Sequence, residues 1–208
     1  MPIPVQCSSI LYNQGFNTAY DFTVSFTYTM NTSGTNPVNN YGFSVFFIDG
    51  LFNIINGGGC EAGLGVASDT SGVQGAFCAL GFDIKGEFSK QNSIPFFTTG
   101  TATAIPNSIG LRVSSLFTYV SSCDISIANP YLYGPLGPVP TENAYQTVRV
   151  GVRDNFRRID VHSLNNQTYV KLASFETGLS SVPPIAKMGI GYSGDTLFQV
   201  SNITLNYT

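Results

Sequence analysis

A period-2 alternation of apolar and polar side chains, recurring from residue 20 to the C-terminus, constrains this chain more than any other feature. Residues 20–30, YDFTVSFTYTM, put Phe22, Val24, Phe26 and Tyr28 on one face and Thr23, Ser25, Thr27 and Thr29 on the other. Successive side chains of a strand point to opposite faces, so the pattern specifies a half-buried β-strand. No segment carries a sustained apolar repeat at helical spacing. Further strands are expected at 42–48 and 75–84, which are more continuously apolar, and at 109–115, 116–122, 146–153, 157–164, 168–175, 187–193 and 198–208. Clusters of Asn, Gly, Pro and Ser mark loops at 31–40, 56–63 and 129–143, a break at 180–184, and turns at Asp154-Asn155 and Asn165-Asn166. About ten short strands with turn signals between them predict an all-β fold, an antiparallel two-sheet sandwich or jelly roll. No linker interrupts the pattern, so residues 1–208 are expected to form a single domain.

Charge narrows the partners. Only 10% of residues are charged, against about 25% in an average globular protein. The remaining polar surface is Ser, Thr, Asn, Gly and Tyr, which suits a secreted protein or the surface of a virus particle. The net charge is −3 and the nine Lys and Arg are scattered; Asp154 and Asp160 interrupt the one cluster, Arg149, Arg153, Arg157 and Arg158. A nucleic-acid groove would need a basic stripe, so no nucleic-acid partner is expected. No apolar run reaches the roughly 18 residues of a membrane span. The opening MPIPVQCSSILYNQG has neither a basic n-region nor a continuous apolar h-region and does not read as a secretory signal. Either a signal was removed ahead of this sequence or the protein leaves its cell by another route; Met1 favours the second, as for a virion protein released by lysis, although a tag or cloning start would also account for it.

Four cysteines, at 7, 60, 78 and 123, allow three disulfide pairings. Cys60 and Cys78 flank a glycine-rich segment and are the best-placed local pair; the alternative is four buried free thiols. No CxxC pair occurs and His162 is the only histidine, so zinc has little support.

Several blocks resemble the concanavalin A-like sandwich, and within it the L-type (legume-like) lectins. These are YGFSVFFIDG (41–50), GGGCEAGLGVAS (57–68) with GAFCALGFD (75–83), IGLRVSS (109–115) and the C-terminal PPIAKMGIGYSGDTLFQVSNITLNYT (183–208). The blocks stand in the family's order and cover most of the chain. The resemblance implies a shallow sugar site on loops held by calcium and a transition metal. It would draw here on Asn40, Tyr41, Gly58, Gly59, Tyr192 and Asp195.

The metal ligands are mostly replaced. The family's glutamate falls on Gly81, its bridging aspartate is kept as Asp83, and its next asparagine falls on Glu87. A second aspartate falls near Asn92, and the family's His and Asp fall on Ser108 and Arg112. An arginine would repel a dication, so the transition-metal site reads as lost. Calcium at Asp83 and Glu87 remains the one cofactor the residues could still hold.

Glycosidases of the same fold carry a Glu-x-Asp-x-Glu pattern. Here it reads Gly81, Asp83, Lys85, so a retaining pair of carboxylates roughly 5 Å apart is not available on that strand face. The expectation is therefore a non-enzymatic, lectin-like sandwich on a virion or cell surface. It would serve as a structural or attachment protein, with a surface glycan, other surface proteins and further copies of itself as partners. The competing expectations are a purely structural decoration or fibre protein and, behind it, a glycoside hydrolase.

Overall fold

The structure is a computed structural model describing residues 5–31, 41–53, 58–125, 145–165, 167–194 and 197–208. Eleven strands are present among them: β1 (Gln6–Asn17), β2 (Phe22–Asn31), β3 (Gly42–Asp49), β4 (Ala76–Asp83), β5 (Ser108–Val113), β6 (Thr118–Asp124), β7 (Gln146–Arg153), β8 (Arg158–Asn165), β9 (Thr168–Glu176), β10 (Ile185–Gly194) and β11 (Leu197–Tyr207). They form a six-stranded sheet in the order β1-β10-β3-β4-β5-β6 and a five-stranded sheet in the order β11-β2-β7-β8-β9. Every pairing is antiparallel. The expected all-β, two-sheet sandwich is therefore present.

The alternation in β2 does what its pattern requires. Phe22, Val24, Phe26 and Tyr28 are buried in the core between the sheets, while Ser25 and Thr27 stand on the outer face. Each fully buried aromatic contributes roughly 1.5–3 kcal/mol of burial. Aromatic rings link the sheets: Phe198 of the five-stranded sheet stacks on Phe43 (5.3 Å, 26°) and on Tyr192 (4.8 Å, 4°) of the six-stranded sheet.

The continuous apolar runs have a different cause. β3 and β4 are buried on both faces. Phe43, Val45 and Phe47 face the other sheet. Phe46 and Ile48 face outward into a second apolar cluster with Leu64, Val66, Phe88, Phe97 and Phe117. Segments 58–75 and 85–107 lie over the outer face of the six-stranded sheet and supply most of that cluster.

The sequence pattern missed β1. Its residues Ser8 to Tyr12 alternate weakly and Ile10 is 51% exposed, because β1 is an edge strand that buries little on either face. The Asp154-Asn155 turn is present, with Asp154, Asn155 and Phe156 all at positive φ and the Arg157 N–H donating to Asp154 O (3.0 Å). Asn166 of the second expected turn lies outside the described residues, as do the loops 32–40 and 126–144.

The four outermost ladders share an irregularity. The pairings β1·β10, β5·β6, β11·β2 and β8·β9 each shift register once, and each time the edge strand carries the surplus: Asn13–Gly15 against Lys187, Val120 alone, Asn202–Ile203 against Phe26, and Leu172 alone, respectively.

Cysteine pairing departs from expectation. The disulfide joins Cys7 to Cys60, with Cα atoms 5.0 Å apart, and Cys78 is free and buried. The expected Cys60–Cys78 bridge is blocked by the sheet itself. Cys78 faces the core between the sheets, whereas Cys60 belongs to the loop over the opposite face. Cys7, at the start of β1, is the thiol that this loop reaches.

Candidate functional site

The loops over the outer face converge near the β3–β4 ends. Gly42 at the start of β3 has φ +131, and a Cβ there would stand 2.0 Å from Phe82 O. Only glycine allows this approach, and it presses Tyr41 against the end of β4. The Tyr41 N–H donates to Ser193 O (3.1 Å), and Tyr41 O accepts from the Ile84 N–H (2.8 Å). The ring is half-buried, and the Lys85 ammonium sits 3.8 Å from its centroid, a cation–π contact. Burial, then the charges of Glu61 and Glu87, push the Tyr41 hydroxyl up from its ordinary value. Both carboxylates therefore bear on this tyrosine. Tyr41, Lys85, Glu61 and Glu87 make a rim with one aromatic ring, one ammonium and two carboxylates, able to donate and accept hydrogen bonds with a polyhydroxylated ligand.

Asp83 supports this rim from beneath. It is buried, and its Oδ1 accepts from the Lys85 N–H (3.0 Å) while its Oδ2 accepts from the Phe88 N–H. Burial pushes the carboxyl up to about 7, although the N–H groups of Phe88, Gly86 and Lys85 pull the other way. A carboxyl raised in the folded state binds its proton more tightly there than in the unfolded chain. Its contribution to stability is present below pH about 4 and is lost as pH rises through about 7. The His162 imidazole, lowered chiefly by burial, acts in the opposite direction, because its contribution grows as pH rises through its unfolded value. The measurement is therefore the difference between the protein and Asp83→Asn in urea midpoints at pH 5 and pH 8. The protein is expected to lose on the order of 2 kcal/mol relative to the variant over that interval. Equal slopes would show that Asp83 is not the titrating group. Asn offers one acceptor oxygen for two N–H groups, so the variant is also expected to be less stable at every pH, by about 1–3 kcal/mol.

Arg112, on β5, is fully buried. Its Nε donates to Phe88 O (2.7 Å), Nη1 to Thr99 O and Phe117 O (both 2.9 Å), and Nη2 to Lys90 O (3.3 Å). Phe97 covers its flat face at 3.7 Å. Burial disfavours the protonated guanidinium, and these carbonyl oxygens and the ring replace the water it has lost.

Three of the expected sugar-site residues do other work. Tyr192 lies on β10 with its ring stacked on Phe198 in the intersheet core, so it gives a sugar no face to stack on. This corrects the expectation; its phase with Met188 and Ile190 carries the signal. The Gly58 N–H donates to Gly65 O and the Gly59 N–H to Ala67 O (both 2.9 Å), so these glycines shape the loop and their N–H groups are occupied. Asn40 and Asp195 lie outside the described residues. Lys85 and Glu61 were missed as site residues, although charges are scarce enough in this chain for each one near a glycine loop to be conspicuous.

The residues do not fit a calcium and transition-metal pair. At Gly81 an added Cβ would meet the Phe88 ring at 2.3 Å, so an aromatic ring fills the space where the resemblance puts a glutamate. Arg112 brings a positive charge where it puts a ligand. Asp83 and Glu87 do share one strand end, but both Asp83 oxygens are engaged by backbone N–H groups. Among the described residues, no three of His, Cys, Asp and Glu come together to hold an ion.

No protein-family model and no curated protein sequence matches the chain. Solved structures do match. The lectin from Bauhinia forficata in complex with GalNAc aligns with a TM-score of 0.67 at 15% identity, covering 100% of this chain and 82% of that one. Lectin I-B4 from Griffonia simplicifolia, in a metal-free form, gives 0.64 at 13%, covering 97% and 80%. The exoplasmic/lumenal domain of VIP36, in its Ca2+/Man-bound form, gives 0.62 at 12%, covering 100% and 76%.

Proposed function

From the premise that this chain has the L-type lectin, concanavalin A-like fold, we propose that it is a non-enzymatic carbohydrate-binding protein whose site is the rim of Tyr41, Lys85, Glu61 and Glu87. The observation that carries the reading is the half-buried Tyr41 ring under the Lys85 ammonium, flanked by two carboxylates. Loops fixed by Asp83, Arg112 and the Cys7–Cys60 bridge hold these groups in place, and sugar recognition needs such preorganised groups.

The bridge and the charge-poor surface support display in an oxidising, extracellular or lumenal setting. Among the described residues, no helix is long and apolar enough to cross a membrane. We place the chain on a virion or cell surface, as an attachment or structural protein working in several copies beside other surface proteins. A hydrolase reading is disfavoured because Asp83 is buried and committed to backbone N–H groups, which leaves it poorly placed to attack a glycosidic bond.

A glycan array tests the proposal. Specific binding is expected, and Tyr41→Ala and Lys85→Ala should each weaken it about tenfold or more, a loss of about 1.4 kcal/mol. Arg157→Ala, on the distant β7–β8 turn, should leave it unchanged. The purely structural reading has one observation in its favour, the internal use of Gly58, Gly59 and Tyr192. Absence of binding across a broad array, with tight association with a particle, would establish it instead.

A further inference from the structure

We propose that Arg112 is a built-in cation that orders the loop beneath the candidate glycan site in place of a metal ion, so that this chain needs no divalent cation to hold its ligand. The second clause rests on the glycan reading above; the first does not.

A hard cation orders a loop by gathering oxygen atoms from residues far apart in sequence. Arg112 gathers four backbone carbonyls, from Phe88, Lys90, Thr99 and Phe117, along the edge of one planar group. The guanidinium fork carries five N–H donors in fixed directions, which suits it to this task. Phe97, from the same loop, closes over its face. Asp83 does the complementary work by collecting N–H groups from Lys85 and Phe88. Phe88 is thus pinned at its N–H by a carboxylate and at its C=O by a cation, and Lys85 and Glu87 of the rim lie on the pinned stretch. Because the charge is covalently attached to β5, it cannot be chelated away. A divalent ion in the same place would face a buried positive charge and the Phe88 ring.

Thermal melting and hydrogen exchange of the amides of 86–101 test this, with the protein in EDTA and then in millimolar calcium and manganese. The melting temperature is expected to stay within about 1 °C, with loop protection unchanged; a shift of several degrees, or protection that appears only with metal, would overturn the proposal. Arg112→Met should speed exchange in 86–101 by roughly 100-fold while β7 and β8 stay protected, and Arg112→Lys, with three donors and no planar fork, should fall between. Loop exchange unchanged in Arg112→Met would also overturn it. If that variant does not fold, the metal comparison on the unaltered protein decides. Glycan binding that is lost in EDTA sinks this proposal alone; absence of any glycan binding leaves the loop measurements standing and counts only against the site's ligand.

Discussion

Gly81→Glu, which restores the acid that the lectin resemblance places at that position, is expected to destabilise the protein by more than about 4 kcal/mol and to confer no calcium binding. The cause is local. The Cβ of any residue at 81 would come within 2.3 Å of the Phe88 ring. Phe88 is fully buried, packs edge-on against Phe97 at 5.4 Å and hands its carbonyl to Arg112. Moving that ring disturbs the second apolar cluster and the guanidinium's contacts together, and the new carboxylate is itself buried. Chemical denaturation would give the loss and calorimetric titration with calcium the absence of binding. A double-mutant cycle with Phe88→Ala identifies the mechanism. If the ring is the obstacle, the two substitutions together should cost less than the sum of their separate costs, by at least about 1 kcal/mol. Additive costs would locate the strain elsewhere.

Reduction of Cys7–Cys60, or Cys7→Ser with Cys60→Ser, is expected to cost about 4 kcal/mol. The bridge closes a sequence separation of 53 residues, and chain-entropy bookkeeping gives about that figure for a loop of such length. For a chain of this size the loss corresponds to roughly a 10 °C fall in melting temperature. Both cysteines are only partly buried, so a reductant has access to them. The effect should also be directional. The bridge anchors the loop carrying Glu61 to the edge strand β1, so exchange should accelerate first at residues 58–68 while β7 and β8 stay protected. A melting temperature unchanged by dithiothreitol would show that the bridge does not stabilise the fold.

Strand content was legible from sequence wherever one face meets the core and the other meets water. β2 is the clearest case, because Phe22, Val24, Phe26 and Tyr28 keep strict phase over one buried face. The continuous runs of β3 and β4 were readable as strands, but not the reason for them, which is the covering of their outer face by loops distant in sequence. β1 was not readable, since a strand at the edge of a sheet buries too little for alternation to be imposed on it. The disulfide was misjudged for a related reason. Proximity along the chain says nothing about which side of a sheet a residue occupies, and Cys60 and Cys78 lie on opposite sides. In the candidate site, Asp83 was visible as the one metal ligand kept from the lectin pattern and Arg112 as a departure from it. Their shared role was not, because it runs through the backbone carbonyls and N–H groups of a loop, and side-chain identity does not encode these.

The extra residues in all four edge strands bear on how many copies of this chain can be crowded together. A flat, regular edge offers a row of unpaired N–H and C=O groups, on which an identical chain can template the next strand of a continuous sheet. Here each edge is bent at one point, by Asn13–Gly15, Val120, Leu172 or Asn202–Ile203, so no long stretch of any edge presents its groups in register. Copies held side by side at high local concentration would thus meet through their polar faces and loop ends, and an assembly of them would resist the slide into cross-β fibrils.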